Sequence, residues 1–288
     1  MEITSSELEK SLRIYVLHHD DLDGYMSAAV IHFYMRQYMS QCLEFIPVQY
    51  NQPCPLFNIQ LKPDDSVFIV DFSYNKETIL KLREQCRAVR VIDHHQSAIE
   101  ELSGLEDCYL DESVAGCIGT WRHFYGKKEV PFAVQVADDY DRFIHETGYS
   151  EALNSWFKAS DRSMVISQLS EFIRARHLLI EALADAKVIV DHNKAVAEAF
   201  ASSDKYKVID FNCEFGTFKV AIYNTTTLIN EIATALYSKP ELGLDFTMSY
   251  FFTSDGKCVF NLRSLKSKGD LCLRIAKSYD GGGHPCSS

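Results

Sequence analysis

Short apolar runs alternate with amphipathic stretches through the first half of the chain. The apolar runs, each as long as a buried strand, are Leu12–Leu17, Ser66–Val70 and Ala88–Ile92. The stretches with helical spacing are Ser27–Tyr38, Lys76–Cys86 and Pro131–Phe143. Strands that alternate with helices predict an α/β fold with a parallel sheet and crossover connections.

The second half of the chain has a different pattern. Residues 150–200 contain few glycines or prolines, and their apolar residues recur at helical spacing. Short β-like runs follow at Phe218–Tyr223, Phe246–Phe252 and Cys258–Leu262. We therefore predict an N-terminal domain over residues 1–150, a helical connector over 151–205 and a smaller α/β domain over 206–288.

Charge restricts the kind of partner. The 288-residue chain has 40 acidic and 29 basic residues, which gives a net charge of −11. Proteins that bind long nucleic acids through many phosphates usually have a basic excess, so we expect no long duplex as a partner. A short phosphate ester can still bind to an acidic protein if metal ions supply the local positive charge.

Cysteine usage and the N-terminus indicate the compartment. The nine cysteines include no CxxC pair, which is typical of free thiols in a reducing environment. The first ten residues lack a basic-then-apolar signal segment, and no apolar run approaches the ~20 residues that span a bilayer. We expect a cytoplasmic protein that does not associate with membranes.

Residues with metal-binding chemistry follow the first predicted strand. In the run His18–Gly24, side chains alternate between two faces of an extended chain, so His19, Asp21 and Asp23 can point to one side. One imidazole and two carboxylates on a common side form half of a divalent-metal site. Gly24 lets the backbone turn into the next helix. A solvated acidic loop is the ordinary alternative.

The next two predicted strands end in residues of the same kind. Asp71 directly follows the second strand, and Asp93, His94 and His95 follow the third. Asp71 could instead cap the next turn, and a histidine pair is structural about as often as functional. Ligands of open α/β sheets bind beyond the carboxyl ends of the strands, so the shared position favours one site.

Two further clusters lie later in the chain. Asp138, Asp139 and Asp141 lie near the end of a predicted helix, where acids are usually solvated, but one of them would complete a dinuclear site. The run Gly281-Gly282-Gly283-His284 lets backbone amides approach a phosphate closely, although a flexible tail has the same composition. Arg263 offers a guanidinium suited to bidentate phosphate contact.

Taken together, these features resemble the DHH phosphoesterase superfamily. The run His19-x-Asp21-x-Asp23-Gly24 is similar to its first motif, Asp71 to its second, and Asp93-His94-His95 to the signature that names it. The segment from Arg263 to Pro285 resembles the end of the associated C-terminal domain of DHHA1 type. The resemblance spans residues 14–285 and implies a bilobal protein with the active site in the cleft.

The resemblance also implies two divalent ions and their ligands. The implied ligands are His19, Asp21, Asp23, Asp71 and His94, with Asp71 bridging the two ions. One acid of the fourth motif completes the set. We prefer Asp139, because Asp139-x-x-x-Phe143 fits the family's spacing of an acid and an aromatic residue; Asp138 and Asp141 are the alternatives.

The remaining site residues would contact the substrate. His95 would face or orient it in the catalytic step, beside the bridging Asp71. The residues that would hold its distal end are Arg263, Gly281, Gly282, Gly283 and His284.

The implied chemistry is two-metal hydrolysis of a phosphodiester. Two cations about 3.5–4 Å apart can clamp the attacking and leaving oxygens, and a water between them becomes hydroxide near neutral pH. Imidazole and carboxylate ligands suit Mn²⁺, with Fe²⁺ or Co²⁺ as substitutes. We predict a Mn²⁺-dependent 3′–5′ phosphodiesterase that degrades very short oligonucleotides to mononucleotides.

Other activities occur on the same scaffold. The alternatives are a linear or cyclic dinucleotide phosphodiesterase, a phosphatase of 3′,5′-bisphosphorylated adenosine, and a non-catalytic nucleotide-binding module. The complete apparent ligand set favours an enzyme, because a site that has lost its activity tends to lose a carboxylate. We expect a short oligonucleotide or small nucleotide as the partner, and a homodimer stays open.

Overall fold

A computed structural model describes residues 13–36, 42–279, 281–282 and 286–287 of the chain. The chain divides into two compact units between Lys187 and Val188. Each unit contains its own sheet, and a long helix, α8 (Arg176–Ala201), runs through the division.

The first unit is built on a five-stranded parallel sheet. Its strands are β1 (Ile14–His19), β2 (Leu43–Val48), β3 (Ser66–Val70), β4 (Ala88–Asp93) and β5 (Cys108–Leu110). Their order in the sheet is β2-β1-β3-β4-β5, and every pairing is parallel. This order reverses direction between β1 and β3, which opens a crevice at the carboxyl ends of those two strands. The predicted α/β class with a parallel sheet is confirmed.

Helices cover the sheet of the first unit. They are α1 (Leu22–Met35), α2 (Lys76–Arg83), α3 (Gln96–Leu102), α4 (Gly116–Tyr125), α5 (Phe132–Asp141), α6 (Ser150–Ala159) and α7 (Arg162–Arg174). Helix α1 begins at Leu22 rather than at the predicted Ser27, because the Asp21 carboxylate caps it by accepting a hydrogen bond from the Gly24 amide at 3.0 Å. The chain therefore turns into a helix inside the metal-binding motif.

The apolar pattern did not reveal four elements of this unit, namely β2, α3, α4 and β5. Strand β2 is only partly buried, β5 has three residues, and α4 begins at a glycine, so each lacks the apolar run on which such predictions depend. Helices α6 and α7 pack into the same core as α1, through residues such as Leu153 and Leu169. The predicted three-part domain division stays a prediction.

The second unit has a smaller mixed sheet. Its strands are β6 (Tyr206–Cys213), β7 (Gly216–Asn224), β8 (Phe246–Phe252) and β9 (Cys258–Arg263), in that order. Strands β7 and β8 are parallel, and the two outer pairs are antiparallel. Two helices, α9 (Ile229–Tyr237) and α10 (Leu271–Ser278), contribute to its two core clusters. None of the helices in the described parts of the chain is long and apolar enough to cross a membrane.

Candidate metal centre

The carboxyl ends of β1, β3 and β4 bring two histidines to opposite oxygens of one carboxylate. His94 Nε2 lies 3.1 Å from Asp71 Oδ1, and His19 Nδ1 lies 3.8 Å from Asp71 Oδ2. His19 Nδ1 also lies 2.8 Å from Asp21 Oδ2, and His94 Nε2 lies 3.7 Å from Asp23 Oδ2. Asp71 is therefore central, as expected of a bridging ligand.

The ligand atoms form overlapping groups, in each of which the atoms lie within 4.8 Å of one another. These groups are His19 with Asp21 and Asp71, Asp23 with His94 and Asp141, and Asp71 with Asp93, His94 and His95. Both Asp71 oxygens, His19 Nδ1 and His94 Nε2 are buried, and in the described structure their short contacts within the cluster do not have hydrogen-bond geometry. Buried polar atoms are normally paired, so this convergence fits divalent cations.

The backbone at Asp71 is held in an uncommon conformation. Its φ of 54° lies in the left-handed region, and its amide donates to the Ile92 carbonyl at 2.8 Å. Non-glycine residues adopt this region at a cost of about 1–3 kcal/mol, and such strain concentrates at functional sites. On its other side, a Cβ added at Gly116 would lie 2.7 Å from Asp71 Cβ, so only glycine fits there.

Asp23 is fixed by the N-terminus of α4. Its carboxylate accepts hydrogen bonds from the Gly116 amide at 2.6 Å and from the Cys117 amide at 2.9 Å. A helix N-terminus favours an anion through its free amides and dipole. The sequence prediction missed this support; the small residues Ala115 and Gly116 ahead of an amphipathic stretch are the signal that could have shown it.

Asp139, the preferred fourth-motif acid, does not lie in the cluster. Its carboxylate accepts hydrogen bonds from the Glu146 amide at 2.8 Å, the Thr147 amide at 3.1 Å and the Thr147 hydroxyl at 2.5 Å. Burial raises the pKa of Asp139, but these hydrogen bonds outweigh burial and lower it. A carboxylate already used by three donors has little capacity left for a cation.

Asp141, one of the alternatives, lies in the cluster instead. Its Oδ2 lies 3.6 Å from His94 Nε2, whereas the Asp138 carboxylate pairs with Arg142 at 2.8 Å and accepts from the Ala115 amide at 2.9 Å. The structure therefore brings Asp141, one of the alternatives, into the cluster and leaves the preferred Asp139 outside it, and the ligand role of either acid stays a prediction. The spacing to Phe143 could not show which of three neighbouring acids was already paired.

His95 is oriented by Asp93. The Asp93 Oδ1 atom lies 2.8 Å from His95 Nδ1 and accepts hydrogen bonds from the His94 and His95 amides, at 2.7 Å and 3.2 Å. Burial lowers the pKa of His95, but the hydrogen bond and charge of Asp93 outweigh it and raise that pKa. Asp93 holds Nδ1 of His95, so Nε2 is the ring nitrogen that is not engaged by Asp93.

An aromatic residue that the sequence prediction did not single out, Tyr50, follows β2 at the same edge of the sheet. Its ring centroid lies 5.4 Å from that of His19, 5.9 Å from that of His95 and 4.7 Å from that of Phe72. The side chain is 41% exposed, so it forms an accessible wall beside the two histidines.

The carboxylates of the cluster repel one another. Burial, and then the charges of Asp23, Asp21 and Asp141, raise the pKa of Asp71 well above its usual range. Burial, followed by the charges of Asp23 and Asp21, raises the pKa of Asp141 to about 8. Like-charged buried groups of this kind require protons or cations, and divalent ions would remove the repulsion.

The predicted substrate-binding residues lie in the second unit. Arg263 Nε donates to Asn230 Oδ1 at 2.7 Å, and Arg263 Nη1 donates to the Leu262 carbonyl at 2.8 Å. Gly281 donates from its amide to the Ala276 carbonyl at 2.8 Å, and Gly282 is solvent-exposed. Gly283 and His284 lie outside the described residues. The roles of all five in substrate binding stay predictions.

The fold and the cluster define a doubly wound α/β domain with a candidate divalent-metal centre at its switch point. Residues 13–118 match the model of the DHH family, N-terminal domain.

One curated relative aligns along most of the chain. The uncharacterized protein R106 of Acanthamoeba polyphaga mimivirus is 22% identical over 275 residues, which cover 91% of this chain and 63% of R106. The chain thus spans less than two thirds of the length of that relative.

Two solved structures share the fold at low sequence identity. RecJ from Thermus thermophilus, in complex with Mn²⁺, is 13% identical with a TM-score of 0.57, over 98% of this chain and 50% of RecJ. The pGpG-specific phosphodiesterase PggH from Vibrio cholerae is 14% identical with a TM-score of 0.53, over 96% of this chain and 92% of PggH.

Proposed function

We propose that this chain is a Mn²⁺-dependent 3′–5′ phosphodiesterase that hydrolyses very short oligonucleotides and releases mononucleotides. The observation that carries the proposal is the Asp71 carboxylate. It is buried, its two oxygens have no hydrogen-bond partner in the described structure, and each faces a different histidine. A carboxylate arranged in this way suits a bridge between two cations.

The residues of the cluster would have separate roles. His19, Asp21 and Asp71 would hold one ion, and Asp71, Asp23, His94 and Asp141 the other. When bound, the two ions supply Lewis acidity at the phosphate and acidify a water for attack. His95, anchored through Asp93, is poised to exchange a hydrogen bond with a substrate oxygen. A bridging role of Asp71 would depend on the close approach that Gly116 permits.

Mixed ligands support the choice of metal. Two imidazoles together with carboxylates suit Mn²⁺, Fe²⁺ or Co²⁺ better than Mg²⁺, which prefers oxygen ligands and retains its waters. RecJ, a structural neighbour, is an exonuclease that binds manganese. We therefore propose Mn²⁺ as the working ion.

The likeness to PggH favours a second candidate function. PggH is specific for the linear dinucleotide pGpG, and this chain covers 92% of it. A linear dinucleotide is also the shortest oligonucleotide with one scissile phosphodiester. We place dinucleotide hydrolysis as the alternative within the same chemistry.

A substrate panel tests the proposal. The purified protein, stripped of metal and reloaded with Mn²⁺, is incubated with dinucleotides, pentanucleotides labelled at either end, cyclic dinucleotides and 3′,5′-bisphosphorylated adenosine. We expect mononucleotide release from the dinucleotides and pentanucleotides, beginning at the 3′ end. Asp71→Ala should abolish it, and Asp64→Ala, which removes an exposed acid, should not. Activity confined to bisphosphorylated adenosine, or none on any substrate, would contradict the proposal.

A further inference from the structure

A turn after strand β2 places a tyrosine at the edge of the candidate metal centre. Val48, the last residue of β2, pairs with His19 of β1, and Tyr50 follows two positions later. The next residue, Asn51, has a φ of 65°, in the left-handed region. Asparagine enters this region more often than most non-glycine residues, typically in tight turns. The chain thus turns directly after Tyr50, at the same edge of the sheet as His19.

This turn is attached to the rest of the first unit on both sides. Before it, Gln49 Nε2 donates a hydrogen bond to Asp20 Oδ2 at 3.5 Å. After it, Cys54 and Leu56 are buried in the core that includes side chains of β1 and β3. Tyr50 therefore projects from a segment whose position is fixed, although its own side chain is 41% exposed.

Three aromatic rings form a row that ends at Tyr50. The ring centroids of Tyr74 and Phe72 lie 4.9 Å apart, and those of Phe72 and Tyr50 lie 4.7 Å apart. Phe72 directly follows Asp71 and is buried, whereas Tyr50 is the exposed end of the row. Aromatic pairs at such separations attract each other beyond the effect of their buried area, so Phe72 stabilises the orientation of the Tyr50 ring.

The Tyr50 ring also borders the two histidines of the site. Its plane makes an angle of 65° with the ring of His19 and of 77° with the ring of His95. Neither imidazole therefore lies face to face with Tyr50, and the ring keeps accessible surface. Exposed aromatic rings beside a site for the nucleic-acid backbone stack on bases, and each stacked base contributes substantially to binding.

We propose that Tyr50 stacks on the nucleobase of the nucleotide bound at the His19 and His95 side of the metal centre. The base is joined to its phosphate through a single sugar, so a phosphate at the centre would bring the base within reach of the adjoining ring. Every base has a π face, so Tyr50 would favour nucleotides over other phosphate esters without selecting a particular base. This inference rests on the proposed function for its ligand, but stacking can be measured without hydrolysis.

The first test is equilibrium binding to the Mn²⁺-loaded protein. Adenosine 5′-monophosphate and ribose 5-phosphate, neither of which has a phosphodiester to hydrolyse, are titrated by calorimetry. We expect the wild type to bind the nucleotide about tenfold more tightly than the sugar phosphate, because only the nucleotide has a base to stack. Tyr50→Leu should weaken nucleotide binding about tenfold and leave ribose 5-phosphate binding unchanged.

The matched control is Phe57→Leu. Phe57 is 43% exposed, nearly as much as Tyr50, and lies in the same connection between β2 and β3. This variant should leave both binding constants unchanged. Equal affinity of the wild type for the two ligands would overturn the inference, and so would a Tyr50→Leu variant that loses affinity for both ligands equally or for neither.

Tyr50→Trp gives a second measurement, which decides the question if thermal melting shows that Tyr50→Leu is not folded. The larger ring should retain the preference for the nucleotide. After subtraction of the wild-type signal, the emission of the introduced indole should change with adenosine 5′-monophosphate and not with ribose 5-phosphate. The same response to both ligands, or none to the nucleotide, would contradict stacking at this position.

A kinetic test identifies which nucleotide stacks. The KM of a dinucleotide is compared with the KM values of two analogues, each of which lacks one of the two bases. We expect Tyr50→Leu to raise KM for the intact dinucleotide about tenfold with kcat little changed, and to have no effect on the analogue that lacks the stacked base. The same increase for all three substrates would contradict the inference. If none of them is hydrolysed, the proposed function fails, and the binding test still decides on Tyr50.

Discussion

Two buried carboxylates of the first unit have nearly the same exposure and opposite surroundings. Asp71, at the end of β3, is 1% exposed, and neither of its oxygens has a hydrogen-bond donor in the described structure. Asp139, near the end of α5, is 3% exposed and accepts three hydrogen bonds from a single segment, Glu146–Thr147. Burial alone therefore does not distinguish a ligand from a structural acid.

The difference lies in what neutralises each charge. An unpaired buried carboxylate costs several kcal/mol, so it is retained where a proton or cation will meet it. A carboxylate with three donors stabilises the segment that supplies them. The strand-end cluster is thus arranged for a ligand from outside the chain, and the Asp139 region for the fold itself.

The largest effect is expected from Asp71→Asn, which keeps the shape of the side chain but removes its charge. Losing the bridge between the ions should lower kcat on a dinucleotide about a thousandfold or more. Saturating Mn²⁺ should stabilise the folded wild type by about 3 kcal/mol, which raises its Tm by several degrees. Asp71→Asn should abolish this rise in Tm. A kcat within tenfold of the wild type would remove Asp71 from the centre of the site.

Asp141→Asn and Asp139→Asn separate the two regions directly. Asp141→Asn should lower activity about a hundredfold at limiting Mn²⁺, because a ligand is lost while few contacts in the fold change. Asp139→Asn should instead reduce the free energy of unfolding by about 1–3 kcal/mol, with kcat changed only a few-fold. Urea denaturation in EDTA and initial rates give both quantities. The reverse pattern would restore Asp139 as the ligand.

Both the fold class and the site's location were accessible from the sequence. Three buried apolar runs end at or just before His19, Asp71 and Asp93. The carboxyl ends of parallel strands lie at one edge of the sheet, so these side chains were expected to lie close together. The choice among the three acids of α5 was not accessible. It depends on Thr147, eight residues beyond Asp139, whose hydroxyl and amide take up that carboxylate.

Support from outside the motifs was also hidden from the sequence. The amides that hold Asp23 belong to Gly116 and Cys117, more than ninety positions along the chain. Their role requires the packing of α4 against α1, which no local pattern reports. Sequence periodicity shows which elements exist, whereas side-chain pairing across the fold decides which polar atoms remain for a ligand.

The pH dependence of stability should have opposite signs in the two regions. Asp141 has its pKa raised to about 8 by burial and by Asp23 and Asp21, so the folded metal-free protein keeps a proton that the unfolded chain loses near pH 4. Its contribution to the free energy of unfolding therefore falls as the pH rises from about 4 to about 8. Asp71, whose pKa is also raised, acts in the same direction.

Asp139 acts the other way, because its lowered pKa stabilises the fold above about pH 4 and this stabilisation is lost as the pH falls below that value. Denaturation in EDTA at pH 5 and pH 8 measures the first effect. We expect the metal-free wild type to be about 2 kcal/mol less stable at pH 8, and Asp141→Asn to show a smaller difference. A wild type equally stable at both values would mean that the cluster is not strained without metal.

The smallest effect is expected from Arg263 in the second unit. Its guanidinium is partly paired, so in its hydrogen bonding it is intermediate between the unpaired Asp71 and the fully paired Asp139. Asn230 and the Leu262 carbonyl take up two of its nitrogens, which orients the guanidinium at little entropic cost. If it contacts a substrate phosphate, Arg263→Ala should raise KM about tenfold with kcat nearly unchanged, since one charge-assisted hydrogen bond is lost from binding alone. Arg274→Ala, which removes a half-exposed arginine of the same unit, is the matched control and should leave KM unchanged. An equal effect of both variants would indicate that general positive charge, rather than a positioned guanidinium, is what the substrate meets there.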